Sequence, residues 1–324
     1  MIRRFLSLFE PFILMLLGTV LLASLLPARG VWAGIFSYLA DAGIVLLFFL
    51  HGAKLSRQAI LDGARNWRLH LAVLSVTFVL FPLLGLGLAA LPLVTGPVAA
   101  GLLFLTLLPS TVQSSIAFTA IARGNVAAAV CSASFSNLLG ILVTPLLVAL
   151  LMQGDGGISL ASIETIVLQL LVPFVAGHLL RPLIGAFVAR QKVLLSLVDR
   201  GSILLVVYSA FGAAVVEGLW HRLSGQDLAI ITGLCVLLLA VVLLTTWALA
   251  RLMKLPRGDA IVLQFCGSKK SLASGVPMAG VLFPAAQVGV VLLPLMLFHQ
   301  IQLIACAVIA KRYGQSAPVE PANL

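Results

Sequence analysis

Residues 259–283 read DAIVLQFCGSKKSLASGVPMAGVLF, an apolar stretch long enough to cross a bilayer, interrupted at its middle by Gly267, Ser268, Lys269, Lys270 and Ser271. A spanning helix needs about 20 apolar residues, and a lysine at its centre costs about 2.5–3.5 kcal/mol even on insertion scales. Two adjacent lysines therefore demand a wet cavity or an anion, unless the segment is shifted by about two turns and both snorkel to the surface. Residues 97–121, PVAAGLLFLTLLPSTVQSSIAFTAI, share this design, with Pro109, Ser110, Thr111, Gln113, Ser114 and Ser115 at the midpoint. Pro109 removes a backbone donor and disfavours helix at Leu108. The hydroxyls and the amide can serve the backbone groups that a break sets free. Both stretches read as discontinuous spanning helices.

The rest of the chain fits that reading. Of 324 residues, 61% are hydrophobic and 9% charged, and the mean hydropathy is +1.18, whereas soluble chains are about 25% charged. This is the composition of an integral membrane protein. Apolar runs lie near residues 10–27, 31–51, 69–91, 97–121, 125–152, 160–189, 200–219, 227–250, 259–283 and 287–310, which makes ten expected spans. The longest polar stretches, near 54–68 and after Lys311, are too short to bury a core of their own. Glu10 and Pro11 interrupt what would otherwise resemble the apolar region of a signal peptide, so the first run reads as a span. Cys131, Cys235, Cys266 and Cys306 are scattered through apolar runs and read as small core residues.

In a soluble protein the net charge of +10 would suggest nucleic acid. In a bilayer protein the placement of Lys and Arg is what counts, and nucleic acid is not an expected partner. With the N-terminus inside, sixteen of the 20 basic residues fall on inner segments: Arg3, Arg4, Lys54, Arg57, Arg65, Arg68, Arg123, Arg181, Arg190, Lys192, Arg200, Arg251, Lys254, Arg257, Lys311 and Arg312. Only Arg29 and Arg222 fall outside, and Lys269 and Lys270 lie within a span. Both termini are therefore expected on the cytoplasmic side of the cell (inner or plasma) membrane.

Ten spans with both ends inside divide into two halves of five, and an odd number per half puts the halves in opposite orientation, as in inverted-repeat transporters. The expected single membrane domain is a first repeat over 1–153, a second over 154–312 and a short tail over 313–324. Pro11-Phe12 opens the first span and Pro173-Phe174 sits in the sixth, a weak internal echo. The broken spans are then the fourth and the ninth, matching members of the two halves, and matching broken helices point to a binding site. The candidate substrate- or ion-binding residues are Ser110, Thr111, Gln113, Ser114, Ser115, Ser132, Asn137, Gln264, Ser268, Lys269, Lys270 and Ser271. Ser132, Ser134 and Ser136 serve equally well as small residues that let helices approach. Asp41 could sit near the outer headgroups, and His51, His70, His178 and His299 lie at or near expected span ends, where an imidazole is solvated. The chain lacks HExxH, G-x-S-x-G and a paired intramembrane aspartate, so no enzyme activity, catalytic residue or cofactor is expected.

Ala122-Arg123-Gly124-Asn125-Val126, joining a broken span to a Ser-rich one that ends Thr144-Pro145-Leu146-Leu147, resembles the junction in the bile acid:sodium symporter family, solute carrier family 10. The run Gly267-Ser268-Lys269-Lys270-Ser271-Leu272-Ala273 resembles the branch around that family's seventh member. The resemblance implies ten helices with the fourth and ninth broken and crossing, and sodium-coupled movement of organic anions. It also implies where sodium ligands should fall. Ser114 and Ser115 stand where sodium-coupled members have Ser-Asn. Ala129 and Ala133 replace ligands of the fifth span, and Phe265 lies near the place of a glutamate. Lys269 and Lys270 replace a Gln-Asn pair, and Thr77 a glutamine. Carboxylate and carbonyl oxygens hold sodium, whereas an ammonium repels it.

The expected function is secondary transport of a small organic anion by alternating access, with sodium coupling weakened by these replacements and sodium or a proton as the coupling ion. The alternative is a membrane regulator or receptor that uses the same pocket without transport. The metal site and the oligomeric state carry no signal in the sequence.

Overall fold

The computed structural model describes residues 11–54, 66–94, 96–152, 167–218 and 224–316. Arg3, Arg4, Arg57, Arg65 and Arg222 of the charge count, and tail residues 317–324, lie outside the described residues. Every regular element among the described residues is helical, as a bilayer requires of a chain that must satisfy its backbone internally. The helices are α1 (Pro11–Leu25), α2 (Val31–Lys54), α3 (Trp67–Ala89), α4 (Gly96–Leu107), α5 (Gln113–Ile121), α6 (Val126–Leu151), α7 (Val172–Arg190), α8 (Lys192–Val216), α9 (Gly225–Leu252), α10 (Arg257–Gly267), α11 (Leu272–Leu282) and α12 (Ala285–Gln315). A π turn, Val76–Leu80, lies inside α3, and another, Val167–Leu171, leads into α7. By length and composition seven of these helices can cross a membrane: α2, α3, α6, α7, α8, α9 and α12. The two expected discontinuous spans are the pairs α4/α5 and α10/α11.

Two boundaries differ from the hydropathy reading. Helix α8 begins at Lys192, eight residues before the apolar run, and α12 continues past Lys311 and Arg312. Charged residues end an apolar run, but they do not end a helix whose outer turns can leave the hydrocarbon while long stems cover its edge.

Helices α1, α2, α7 and α8 form one group, and the remaining helices form the other. The tightest contact is α2 on α7: a Cβ at Gly52 would land on the Phe174 carbonyl oxygen, and one at Gly177 on that of Phe49. The backbones touch there because neither residue has a side chain. Helix α8 joins the groups by packing on α11 and α12 as well as on α1 and α2. A Cβ at Gly280 would lie 3.3 Å from Val206, and one at Gly289 2.8 Å from the Ala214 Cβ.

At one end of the second group a polar clamp gathers four segments. Asp259 accepts from Asn66 (2.9 Å) and Asn125 (2.8 Å), and Asn125 also caps α6 by accepting from Ala128 N at 3.1 Å. Arg257 donates to the Tyr313 carbonyl (2.5 Å). Arg123, Arg257, Lys311 and Arg312, assigned to inner segments by sequence, thus share one end of the molecule. Helix α5 finishes there in a left-handed turn at Arg123 (φ 54°), with Gly124 N–H donating to Thr119 O at 2.8 Å.

Candidate functional site

The two helix breaks cross each other in the interior. Ser271 N–H donates to the Pro109 carbonyl (2.9 Å), Ser110 Oγ to Cys266 O (2.6 Å) and Ser115 Oγ to Phe265 O (3.0 Å). Each break therefore satisfies the other's backbone, which an isolated interrupted helix could not do in hydrocarbon. Further support comes from α6, whose Ser136 Oγ accepts from Ser110 N–H (2.9 Å) and whose Thr144 Oγ1 donates to Leu107 O (2.8 Å).

Lys270 fills a cage of carbonyls. Its Nζ donates to Thr77 O at 2.8 Å, Thr106 O at 2.7 Å and Leu108 O at 2.7 Å, which uses all three of its donors. The helices cannot supply those carbonyls with backbone donors. In the π turn of α3, Phe81 N–H goes to Val76 O, and the next residue, Pro82, has no N–H to give to Thr77 O. Thr106 would receive Ser110 N–H in an unbroken helix, but Ser136 takes it. Leu108 lies in the break itself. The Phe81 ring, 4.1 Å from Nζ, closes the cage. Gln302 fixes the Lys270 peptide, accepting its N–H (2.9 Å) and donating to its carbonyl (2.9 Å). The Gln302 amide nitrogen also approaches His299 Nδ1 at 2.9 Å. That nitrogen must accept, so a neutral His299 carries its proton on Nε2.

Lys269 points elsewhere. Its Nζ lies 4.3 Å from the Phe118 ring and 5.6 Å from Phe265. Among the described residues its one hydrogen bond is a long one, 3.4 Å, to Ser114 Oγ. Both lysines have zero solvent exposure, so neither snorkels to the surface.

Beside the crossing lies a cavity of about 810 Å³ between the two helix groups. Its inner wall holds the start of α5, from Thr111 to Ser114, and the start of α11, from Ser271 to Ser274. Both half-helix N-termini therefore face it, with the partial positive charge that such ends carry. The lining continues toward the basic end through His51 of α2, Arg200 of α8 and Val308 of α12. Arg200 also lies over the Phe12 ring at 5.7 Å.

The expected site residues separate by position. Thr111, Gln113, Ser114, Asn137 and Ser271 line the cavity, where Asn137 Oδ1 accepts from Ser274 Oγ at 2.7 Å. Ser110, Ser115, Lys269 and Lys270 are buried in the crossing behind that wall. Ser268 Oγ turns back onto Gln264 O (2.5 Å), and Gln264 Nε2 donates to Leu243 O of α9 (3.0 Å). The three serines of α6 diverge: Ser132 lies 2.7 Å from His70 Nδ1, Ser134 lines the cavity, and Ser136 holds the break. His70 and His299 are buried, not solvated at span ends. His51, Ser134, Asp199, Arg200, Ser274 and His299 also line the cavity, and none of them is among the expected site residues. Arg200 and Asp199 carried a signal, as charges beside an apolar run.

Known proteins bear on what this arrangement is. Over 310 residues, covering 94% of this chain and 93% of the relative, it is 58% identical to protein PA2026 of Pseudomonas aeruginosa. It is 54% identical to YfeH of Escherichia coli over 308 residues, 94% of this chain and 92% of that one. It is 26% identical to sodium/bile acid cotransporter 7-A of Xenopus laevis over 312 residues, 93% and 90% of the two chains. The last bears out the resemblance to the seventh branch of the symporter family. The family model that matches covers residues 10–315, nearly the whole length, and the chain accordingly belongs to the SBF-like CPA transporter family.

Proposed function

We propose that the protein is a secondary transporter that carries a small organic anion across the cell membrane by alternating access. The observation that carries this reading is the cavity wall, where two half-helix N-termini face a volume lined also by Arg200, His51 and His299. Among the described residues Asp199 is the one carboxylate in that lining. Such a cavity favours negative charge. Lys269, behind Ser114 and Phe118, adds a full charge close to the wall.

Ten spans in two inverted repeats, with both termini cytoplasmic, accord with the two crossing breaks and with the gathering of Arg123, Arg257 and Lys311 at one end. The cavity then opens inward, and the close packing of Gly280 and Gly289 on α8 closes the outer side. Sodium is not required in this reading, because lysines stand at the places where the resemblance puts sodium ligands.

The test is uptake of small organic anions into proteoliposomes, in sodium and in choline buffers. Uptake of an anion that persists in choline is the expected result. A broad screen that finds only neutral or cationic solutes would overturn the proposal, and tight anion binding without flux would favour the receptor alternative.

A further inference from the structure

We infer that the Lys270 ammonium is a tethered cation occupying a monovalent-cation site, and that cutting back this side chain leaves a cage that takes up a free ion the size of ammonium or potassium. Three carbonyl oxygens converge on one point at 2.7–2.8 Å. Backbone carbonyls arranged in this way replace the hydration shell of monovalent cations. Each is left without a helical donor for a cause that does not involve the lysine side chain: Pro82 beside the π turn for Thr77, the Ser110–Ser136 bond for Thr106, and the break for Leu108. The cage is thus built by the fold, not drawn together by the ammonium. No carboxylate is among its ligands, so it compensates one positive charge and not two. Its contact distances also exceed the roughly 2.3–2.6 Å typical of calcium. The Phe81 face, 4.1 Å away, favours a soft, weakly hydrated ion such as ammonium or potassium.

The experiment measures melting temperature, so its outcome does not depend on whether the protein transports anything. Purified wild type, K270A and K270Q are compared in choline, potassium and ammonium chloride at equal ionic strength. The wild type is expected to melt at the same temperature in all three salts. K270A is expected to melt about 10 °C lower in choline and to regain most of that loss, saturably, as potassium or ammonium is raised. K270Q, whose amide donates to two of the carbonyls, is expected between them and without a salt response. The inference fails if K270A matches the wild type in choline, if it melts equally low in all salts, or if the wild type itself responds to potassium or ammonium. Should K270A be lost on extraction in choline, its recovery on extraction in ammonium chloride counts for the site, and its loss in both counts against it.

Discussion

The ammonium of Lys270 touches three carbonyl oxygens at 2.7–2.8 Å, whereas that of Lys269, one residue earlier, reaches a single hydroxyl at 3.4 Å. The two side chains are equally buried and chemically identical. They diverge because the break leaves the helical path, and the Lys270 peptide is locked by Gln302. One charge is consumed by the architecture, and the other keeps donors in hand beside the cavity wall. A buried charge that is fully partnered holds a structure together, while one that is under-partnered is available to a ligand.

The largest expected difference between the two pockets is in stability. Lys270→Met strands three buried carbonyls and should cost about 3–5 kcal/mol. Lys269→Met removes a poorly partnered charge and should change stability by less than about 1 kcal/mol. Unfolding of both variants in the same detergent would show this, and equal losses would erase the distinction. Next in size is Gln302→Leu, which unlocks the Lys270 peptide. A loss of about 1–3 kcal/mol is expected, and a crosslink or spectroscopic label near Thr77 should report a displaced side chain. In function the order reverses. Lys269→Met should lower anion uptake about tenfold, equivalent to roughly 1.4 kcal/mol, with much of it restored in Lys269→Arg. Unchanged uptake would remove Lys269 from the proposed anion site. The smallest effect belongs to Ser114→Ala: at 3.4 Å its bond to Lys269 is weak, so stability should shift by no more than about 0.5 kcal/mol.

The breaks were legible in the sequence because polar residues at the centre of an apolar run have few explanations in hydrocarbon. The helices were legible because spans are long and nearly uniform in composition. The division of labour between Lys269 and Lys270 was not, since helical periodicity assigns no direction to residues in an irregular stretch. Arg200 counts in the sequence only as an inner-segment charge, and its neighbour Asp199 carries no reading at all, because hydropathy marks the edge of an apolar slab and not the end of a helix. His299 was placed near a span end, but α12 runs to Gln315 and its buried face continues through His299 and Gln302. The Thr77 carbonyl could not be foreseen as a ligand, because Pro82 is the sole mark that the π turn leaves in the sequence.

That π turn has a consequence for the third helix as a whole. It accommodates one more residue than an α turn, so everything after Leu80 is rotated by about 100° relative to an uninterrupted helix. The first half buries Leu69, His70, Ala72 and Val73 and packs on α6 and α10. The second half buries Phe81, Pro82, Gly85 and Leu88 and packs on α4. One continuous rod thus addresses different neighbours above and below a single slipped residue, and no one apolar stripe runs its full length. Deleting Phe78, Val79 or Leu80 would bring the two halves back into phase and turn one half away from its present neighbours, while the Thr77 carbonyl, now four residues before Pro82, would still lack a backbone donor. In a lineage of such chains, a one-residue gap at this position would mark where the two halves of the third helix exchanged their neighbours.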